Sequence, residues 1–458
     1  MLSAYLNSWK IPELRKRIVF TFGIILLCRV TANIPVPGVN ASALAEIFGN
    51  QGGGGGGLMD MFNLFSGGAL EKFAVGALGI MPYISASIIM QLLTPVIPTL
   101  EKMVREGEAG RQQYNQITRY VTVGICIIQG GIYAKAMSDP SQFGLTAGSS
   151  VVLNPGFWFM VRTIITLTAG ALFVMWLGEM ITERGIGNGA SLIITVNILG
   201  RLPASLWSLY VLLRTNSGAD WGFFGIRALG LLAMFLLVCA ATIALTQGMR
   251  RIPIRYAKRS AGRGGAAAGS TSYLPLRVNY AGVMPIIFGG AIMMFPSMLI
   301  RVAAVNQWPP VGLWSWLSIF LNYGGSGYLL CYGALILAFS FFWVANQFNP
   351  IQIADDLQRR GGYVPGIRPG NPTADFLDHT MTRITVAGSV FLLAIAVLPM
   401  FLSQSFKIPG EMAQFYGGTS LLIVVGVTLD TMRQVEAHLL SRHYDGFLSK
   451  GRLRSRRG

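Results

Sequence analysis

The chain has 458 residues, 52% of them hydrophobic and only 12% charged, with a formal net charge of +17 and four cysteines. Its apolar residues come in long runs rather than at amphipathic spacing, which excludes a soluble globular domain and marks a membrane chain. The charge lies mostly between the runs, where membrane topology alone requires it, so direct DNA binding is not expected, although basic loops can touch ribosomal RNA or anionic lipid.

Spanning the ~30 Å hydrocarbon core takes ~20 apolar residues, because backbone groups in lipid must bond within their own segment. Ten such runs are expected, at about residues 18–36, 75–97, 119–138, 157–178, 190–212, 225–246, 280–300, 325–345, 383–403 and 417–436. The first follows Lys10, Arg15, Lys16 and Arg17 without a convincing small-residue cleavage site, so it is expected to be a span and not a signal peptide. Next come six successive glycines, Gly52 to Gly57, which read as a tether or a loop expansion. The segment from about Met59 to Phe73 is too short, and too interrupted by Gly67 and Gly68, to cross a bilayer. A re-entrant or interfacial helix is expected there, tolerated at membrane depth only inside protein or a water cavity.

Further along, Pro82 and Pro285 are each expected to free a backbone carbonyl and bend spans 2 and 7. Asn188 is expected to cap span 5, and the glycines around it lack the preceding strand of a dinucleotide site. Two long loops follow, about 247–276 and 346–382, the second presenting Arg368 on a turn framed by Gly366, Pro369 and Gly370. Basic residues are retained on the cytoplasmic side of short loops. Arg15 to Arg17, Lys102, Arg105, Arg111, the run from Arg250 to Arg263, Arg359, Arg360, Arg368 and the tail from Arg442 to Arg457 therefore place both termini in the cytoplasm.

Two short echoes run through the chain. Gly79-Ile80-Met81-Pro82-Tyr83-Ile84 returns as Gly282-Val283-Met284-Pro285-Ile286-Ile287, and Ser191-Leu192-Ile193-Ile194 as Ser420-Leu421-Leu422-Ile423. The first pair falls in spans 2 and 7 and the second in spans 5 and 10. An odd offset makes the copies antiparallel, as in membrane proteins built from two inverted halves with the functional path where the halves meet. The expected fold is therefore all-α, with ten transmembrane helices in two inverted halves of five and a short re-entrant helix. The boundaries are 1–212 for the first half, 213–224 for an external connection, 225–436 for the second half and 437–458 for a basic cytoplasmic tail.

At the meeting point the echoes offer aliphatic side chains: Ile80 and Ile84 share a helix face, as do Ala190 and Ile194, and Ile287 and Ile423 are the repeat counterparts of Ile84 and Ile194. The middles of spans 2, 7 and 10 hold no carboxylate, His, Lys or Arg, and span 5 holds only Arg201, whereas an ion or proton carrier needs such groups. An aliphatic constriction excludes water and ions by dewetting and still deforms around a large, chemically varied substrate. Arg29, Arg162, Glu179 and Asp430 lie nearer span ends, where snorkelling or loop pairing accounts for them. Cys28, Cys126, Cys239 and Cys331 have no metal-ligand or redox spacing and read as packing residues. Neither a phosphate cradle nor a nucleophile with its base is evident, so no enzyme activity, cofactor or metal site is expected. A passive protein-conducting channel, a secondary transporter of a small solute and a scaffold for other membrane proteins all remain open on this basis.

Longer motifs narrow the choice. Met61 to Leu70 (MFNLFSGGAL), Ala77 to Leu93 (ALGIMPYISASIIMQLL), Ile181 to Gly189 (ITERGIGNG), Val364 to Gly370 (VPGIRPG) and Tyr416 to Val425 (YGGTSLLIVV) resemble the bacterial SecY family, the channel subunits of the Sec protein translocase. The resemblance implies a pore ring of Ile80, Ile84, Ala190, Ile194, Ile287 and Ile423, with Ala190 departing from the bulky residue usual there. It implies a plug containing Met61, Phe62, Asn63, Phe65, Ser66, Gly67, Gly68 and Leu70, and a lateral gate between spans 2 and 7 with Ser85, Gln91, Gln129 and Asn279. Cytoplasmic docking is implied at Arg368, with Arg255, Lys258 and Arg259 of second rank. The implied partners are the SecE and SecG subunits, the SecA ATPase, the ribosome, signal sequences, preprotein or nascent chains and membrane lipid, and the implied location of the chain is the bacterial cytoplasmic membrane.

Overall fold

The computed structural model describes residues 11–40, 44, 63, 65–138, 151–217, 221–256, 271–305, 309–321, 325–406 and 419–450. The glycine run 52–57, Met61, Phe62, Lys258 and Arg259 lie outside the described residues. Helices dominate: α1 (Pro12–Thr31), α2 (Met81–Leu93), α3 (Pro98–Arg105), α4 (Glu108–Ser138), α5 (Phe157–Arg184), α6 (Gly189–Ser217), α7 (Trp221–Gln247), α8 (Met284–Val305), α9 (Val311–Phe320), α10 (Ser326–Gln347), α11 (Pro350–Arg359), α12 (Asn371–Phe406) and α13 (Thr419–Lys450). A helix overlaps each of the ten apolar runs. Among the described residues, 4 helices are long and apolar enough to cross a membrane alone, or up to 5 if the bent pair α2 and α3 makes one span.

The bends expected at Pro82 and Pro285 are not there. Each proline is the second residue of its helix, where its missing N–H leaves no ladder bond unmade. The sharp break falls past Leu93 instead, where α2 and α3 meet at 102° and Pro95 and Pro98 bracket the corner. Gly79 and Gly282, two residues before these helices, both take left-handed conformations, with φ of 57° and 65°. The first echo is thus a repeated local structure, a glycine-only turn followed by a proline-primed helix start. Asn188 meets its expectation, its Oδ1 accepting the Ser191 N–H at 3.3 Å at the start of α6.

Residues 75–80, expected inside span 2, are turns. Their backbone is satisfied by the chain that leaves α1: Val75 N–H donates to Ile34 O at 2.8 Å, Gly76 N–H to Thr31 O at 3.1 Å, and Val36 N–H to Phe73 O at 3.0 Å. Irregular backbone at depth needs such enclosure. Gly170 of α5 admits the segment, because a Cβ there would fall on the Val75 carbonyl oxygen.

The loop expected at 247–276 holds strands. β1 (Met249–Tyr256) pairs antiparallel with β2 (Thr271–Arg277) and with β3 (Gly362–Tyr363), in the order β2-β1-β3, with Ile252 opposite Leu274 and Arg255 opposite Tyr363. Ile252 and Ile254 are buried while Arg251, Pro253 and Arg255 are exposed, a two-residue alternation. The buried side joins a core with Leu276, Val344, Phe348, Val364, Leu377 and Met381, so the sheet caps α10 and α12. Between α4 and α5, Arg119 grips Glu179 through two hydrogen bonds of 3.1 and 2.8 Å, a helix-to-helix ion pair in place of the expected snorkelling or loop pairing. All four cysteines are free thiols, with Cys28 and Cys126 buried in apolar clusters.

Candidate functional site

One apolar cluster lies where α2, α5, α6, α8 and α13 converge. Ile80, Ile194, Ile287 and Ile423 are buried in it, and Ile84 and Ala190 pack against it. The tertiary structure thus brings together all six aliphatic positions, from one segment near each half's start and one near its end. Around Ala190 the packing is close: a Cβ on Gly178 of α5 would stand 3.1 Å from Ile80 Cδ1 and 3.3 Å from Ile193 Cδ1. Gly189, beside Ala190, lies directly against the Gly178 carbonyl. Sequence marks Gly189 only as part of the turn around Asn188 and leaves Gly178 unmarked, because composition and spacing do not show the approach of two helices.

Phe65 belongs to the same cluster, so the segment expected as a plug seats one aromatic ring against these aliphatic side chains. The described residues Asn63, Phe65 and Ser66 are helical, and the turn ends at Gly67 and Gly68, with φ of 69° and 87°. Gly68 N–H donates back to Asn63 O at 2.9 Å, a glycine-dependent helix stop. Ser66 Oγ donates to Asn63 O and accepts from Leu70 N–H, at 3.1 and 3.2 Å. Leu70 and Phe73 are fully buried in the neighbouring cluster with Val36, Cys126 and Leu167.

Polar groups tie this segment to its surroundings. Arg29 of α1 donates to Gly67 O at 3.1 Å and to Val196 O at 2.7 Å. Asn197 of α6 donates through Nδ2 to Phe65 O at 2.9 Å. Arg201, one turn further along α6, forms an ion pair with Glu71, whose N–H donates to Asn63 Oδ1 at 3.2 Å. Lys72 reaches Asn33 Oδ1 at 2.6 Å. Arg29 is therefore no snorkelling side chain; its partners lie on two distant segments. The available signal was an arginine in an apolar run, a costly placement that demands a partner.

The four gate candidates separate. Ser85 and Gln91 lie on α2, where Gln91 Nε2 donates to Ser87 Oγ at 3.3 Å. Gln129 of α4 lines a small cavity with Ser66, Ala77, Leu78, Met81 and Tyr133, between α2 and the Phe65 segment. Asn279 lines a different cavity, with Ser340 of α10 and Thr385 and Ser389 of α12. Arg368 is exposed on a turn in which Gly366 has φ of 85° and the Arg368 carbonyl accepts from Thr373 Oγ1 at 2.8 Å. Arg255 is exposed on β1, which β3 joins to the same platform.

The comparisons with known proteins place this arrangement. The family model for SecY matches residues 74–432. The chain belongs to the SecY family. It is 41% identical over 455 residues to the protein translocase subunit SecY of Streptomyces galbus, covering 98% of this chain and 100% of that one. To the protein translocase subunit SecY of Escherichia coli (strain K12) it is 43% identical over 450 residues, covering 96% of this chain and 95% of that one. A solved structure described as a protein conducting channel shares the fold with a TM-score of 0.61 at 17% identity, covering 93% and 92% of the two chains. Another, of a SecY protein and its plug domain, gives 0.59 at 17% identity, covering 95% and 97%. SecY membership and the apolar helices make this a multi-pass protein of the bacterial inner membrane, and membership agrees with a chain that has no nucleotide site of its own.

Proposed function

We propose that this SecY-family chain is a protein-conducting channel that passes unfolded secretory polypeptides across the cytoplasmic membrane and releases membrane segments sideways into lipid. Support comes above all from one observation: six aliphatic side chains, from segments related by the sequence echoes, gather in one cluster with Phe65 seated against them. In this reading Ile80, Ile84, Ala190, Ile194, Ile287 and Ile423 form the pore ring. Each buried aliphatic side chain contributes about 1.5–3 kcal/mol of burial, so the ring stays dry at rest and re-forms after a chain has passed. Asn63, Phe65, Ser66, Gly67, Gly68 and Leu70, with Met61 and Phe62, form the plug.

The ten runs would be ten spans in two inverted halves, 1–212 and 225–436, joined outside by 213–224 and followed by the tail 437–458, with both termini cytoplasmic. Matching left-handed glycines at 79 and 282 favour that pseudo-symmetry. The lateral gate is the sparse contact between α2 and α8, with Ser85, Gln91 and Gln129 on one flank and Asn279 at the entry to α8. Driving force comes from outside: the β1–β3 platform and the Arg368 turn receive the SecA ATPase or the ribosome, with Arg255, Lys258 and Arg259 alongside. SecE and SecG complete the complex, and signal sequences enter at the gate.

Cysteines placed at Ile84, Ile194, Ile287 and Ile423 should crosslink to a stalled secretory chain; failure at all four would refute the pore. Arg368→Glu should reduce SecA-driven translocation about tenfold or more, the scale of losing one charged contact in an interface. Translocation at the parental rate in that variant would remove Arg368 from the docking surface.

A further inference from the structure

The plug has two kinds of attachment. Phe65, Leu70 and Phe73 bury apolar side chains, which holds the segment in place without fixing a direction. Arg29, Asn197 and Arg201 add directional contacts at three successive points, the carbonyls of Phe65 and Gly67 and the carboxylate of Glu71. The Arg29 guanidinium fits because α6 has a notch: Gly200 lies where a Cβ would fall on it. Asn197 and Arg201 are four residues apart and so share a face of α6, and Arg29 bridges that face to α1 through Val196 O. Inside the plug, Asn63 ties the Glu71 backbone to the helical turn, so the carboxylate is held ready for Arg201.

We infer that Arg29, Asn197 and Arg201 form a polar latch, seated on the Gly200 notch, that holds the plug closed and offsets the thin side of the ring at Ala190. The inference rests on the channel reading and assigns these three as positioning residues for the plug. A latch of hydrogen bonds suits an opening gate, because each bond lost to the protein can be replaced by water once the plug moves into an aqueous path. Apolar contacts alone would resist that movement more strongly as the segment became wet.

The test reads plug position directly, without a translocating chain. In the complete translocase in nanodiscs, with the four native cysteines replaced, Leu70→Cys is labelled by a water-soluble maleimide. Leu70 is 1% exposed, so the parent reacts slowly. Arg201→Gln and Asn197→Ala are each expected to raise the labelling rate about tenfold to a hundredfold, the shift in a closed-to-open equilibrium from losing one charged or buried hydrogen bond. Gly200→Ala, which keeps every latch side chain but displaces Arg29, should do the same. Glu71→Arg combined with Arg201→Glu should bring the rate back towards the parent.

Ile336→Cys, in a separate fully buried cluster, reports the rest of the fold and should stay slow throughout. Parental labelling in all single variants would overturn the latch, as would a double variant that labels as fast as Arg201→Gln. A rise at both Leu70→Cys and Ile336→Cys would mean a merely structural role and would overturn it too. Unchanged labelling with intact crosslinking at the pore positions sinks the latch alone, whereas lost crosslinking with altered labelling sinks the channel reading.

Discussion

If the proposed pore ring is the seal, a channel carrying Ile194→Asn is expected to leak ions at rest. Ile194 is 4% exposed in the apolar cluster, and its neighbours Ile80, Ile193, Ile287 and Ile423 offer no side-chain hydrogen-bond partner. An amide placed there keeps its water or goes unsatisfied at a cost of about 1–3 kcal/mol, so the dry state of the constriction loses its advantage over the wet one. Resting conductance in a planar bilayer is expected to rise about tenfold or more, since each ~1.4 kcal/mol is a factor of ten in the closed-to-open ratio. Ala190→Ile should act in the opposite sense, adding bulk where one side of the ring is small. Leak equal to the parent in Ile194→Asn would show that these side chains do not form the seal.

Gly189→Val should prevent the chain from accumulating. A Cβ at 189 would land on the carbonyl oxygen of Gly178, so α5 and α6 cannot keep their present approach, and the atom in the way is backbone rather than a side chain that can swing aside. The expected loss exceeds ~4 kcal/mol, the range reached only by substitutions that break a specific packing feature. Quantifying protein in membranes and its thermal unfolding would check this. Gly124→Ala, a mid-helix glycine of α4 with open space around it, is the matched control and should be neutral or slightly stabilising. Equal levels for Gly189→Val and the parent would contradict the packing described here.

The membrane class and the helix positions were legible because apolar runs of about twenty residues are a local signal, and a helix overlaps each run. The sheet has a sequence signal too, although the loop-like composition of 247–276 hides it. Ile252 and Ile254 alternate with exposed residues and pair with Leu274 and its neighbours, a two-residue period masked by the density of arginines around it. Proline in a long apolar run suggests a bend at Pro82 and Pro285, whereas the left-handed glycines at 79 and 282 delay each helix until just before the proline.

By itself, then, the sequence determined a membrane protein of many spans, the family motifs and the repeat that singles out five of the six aliphatic positions, the family resemblance adding the sixth. Only the tertiary structure decided what holds the segment after the glycine run. Arg29 meets Val196 at a separation of 167 residues, and Asn197 meets Phe65 at 132. Periodicity and spacing describe neighbours along a helix or strand, and they carry nothing about which distant side chain fills the notch left by a missing Cβ at Gly200. That contact exists only once α1 and α6 have packed, because an arginine in an apolar run must find its acceptors inside the protein.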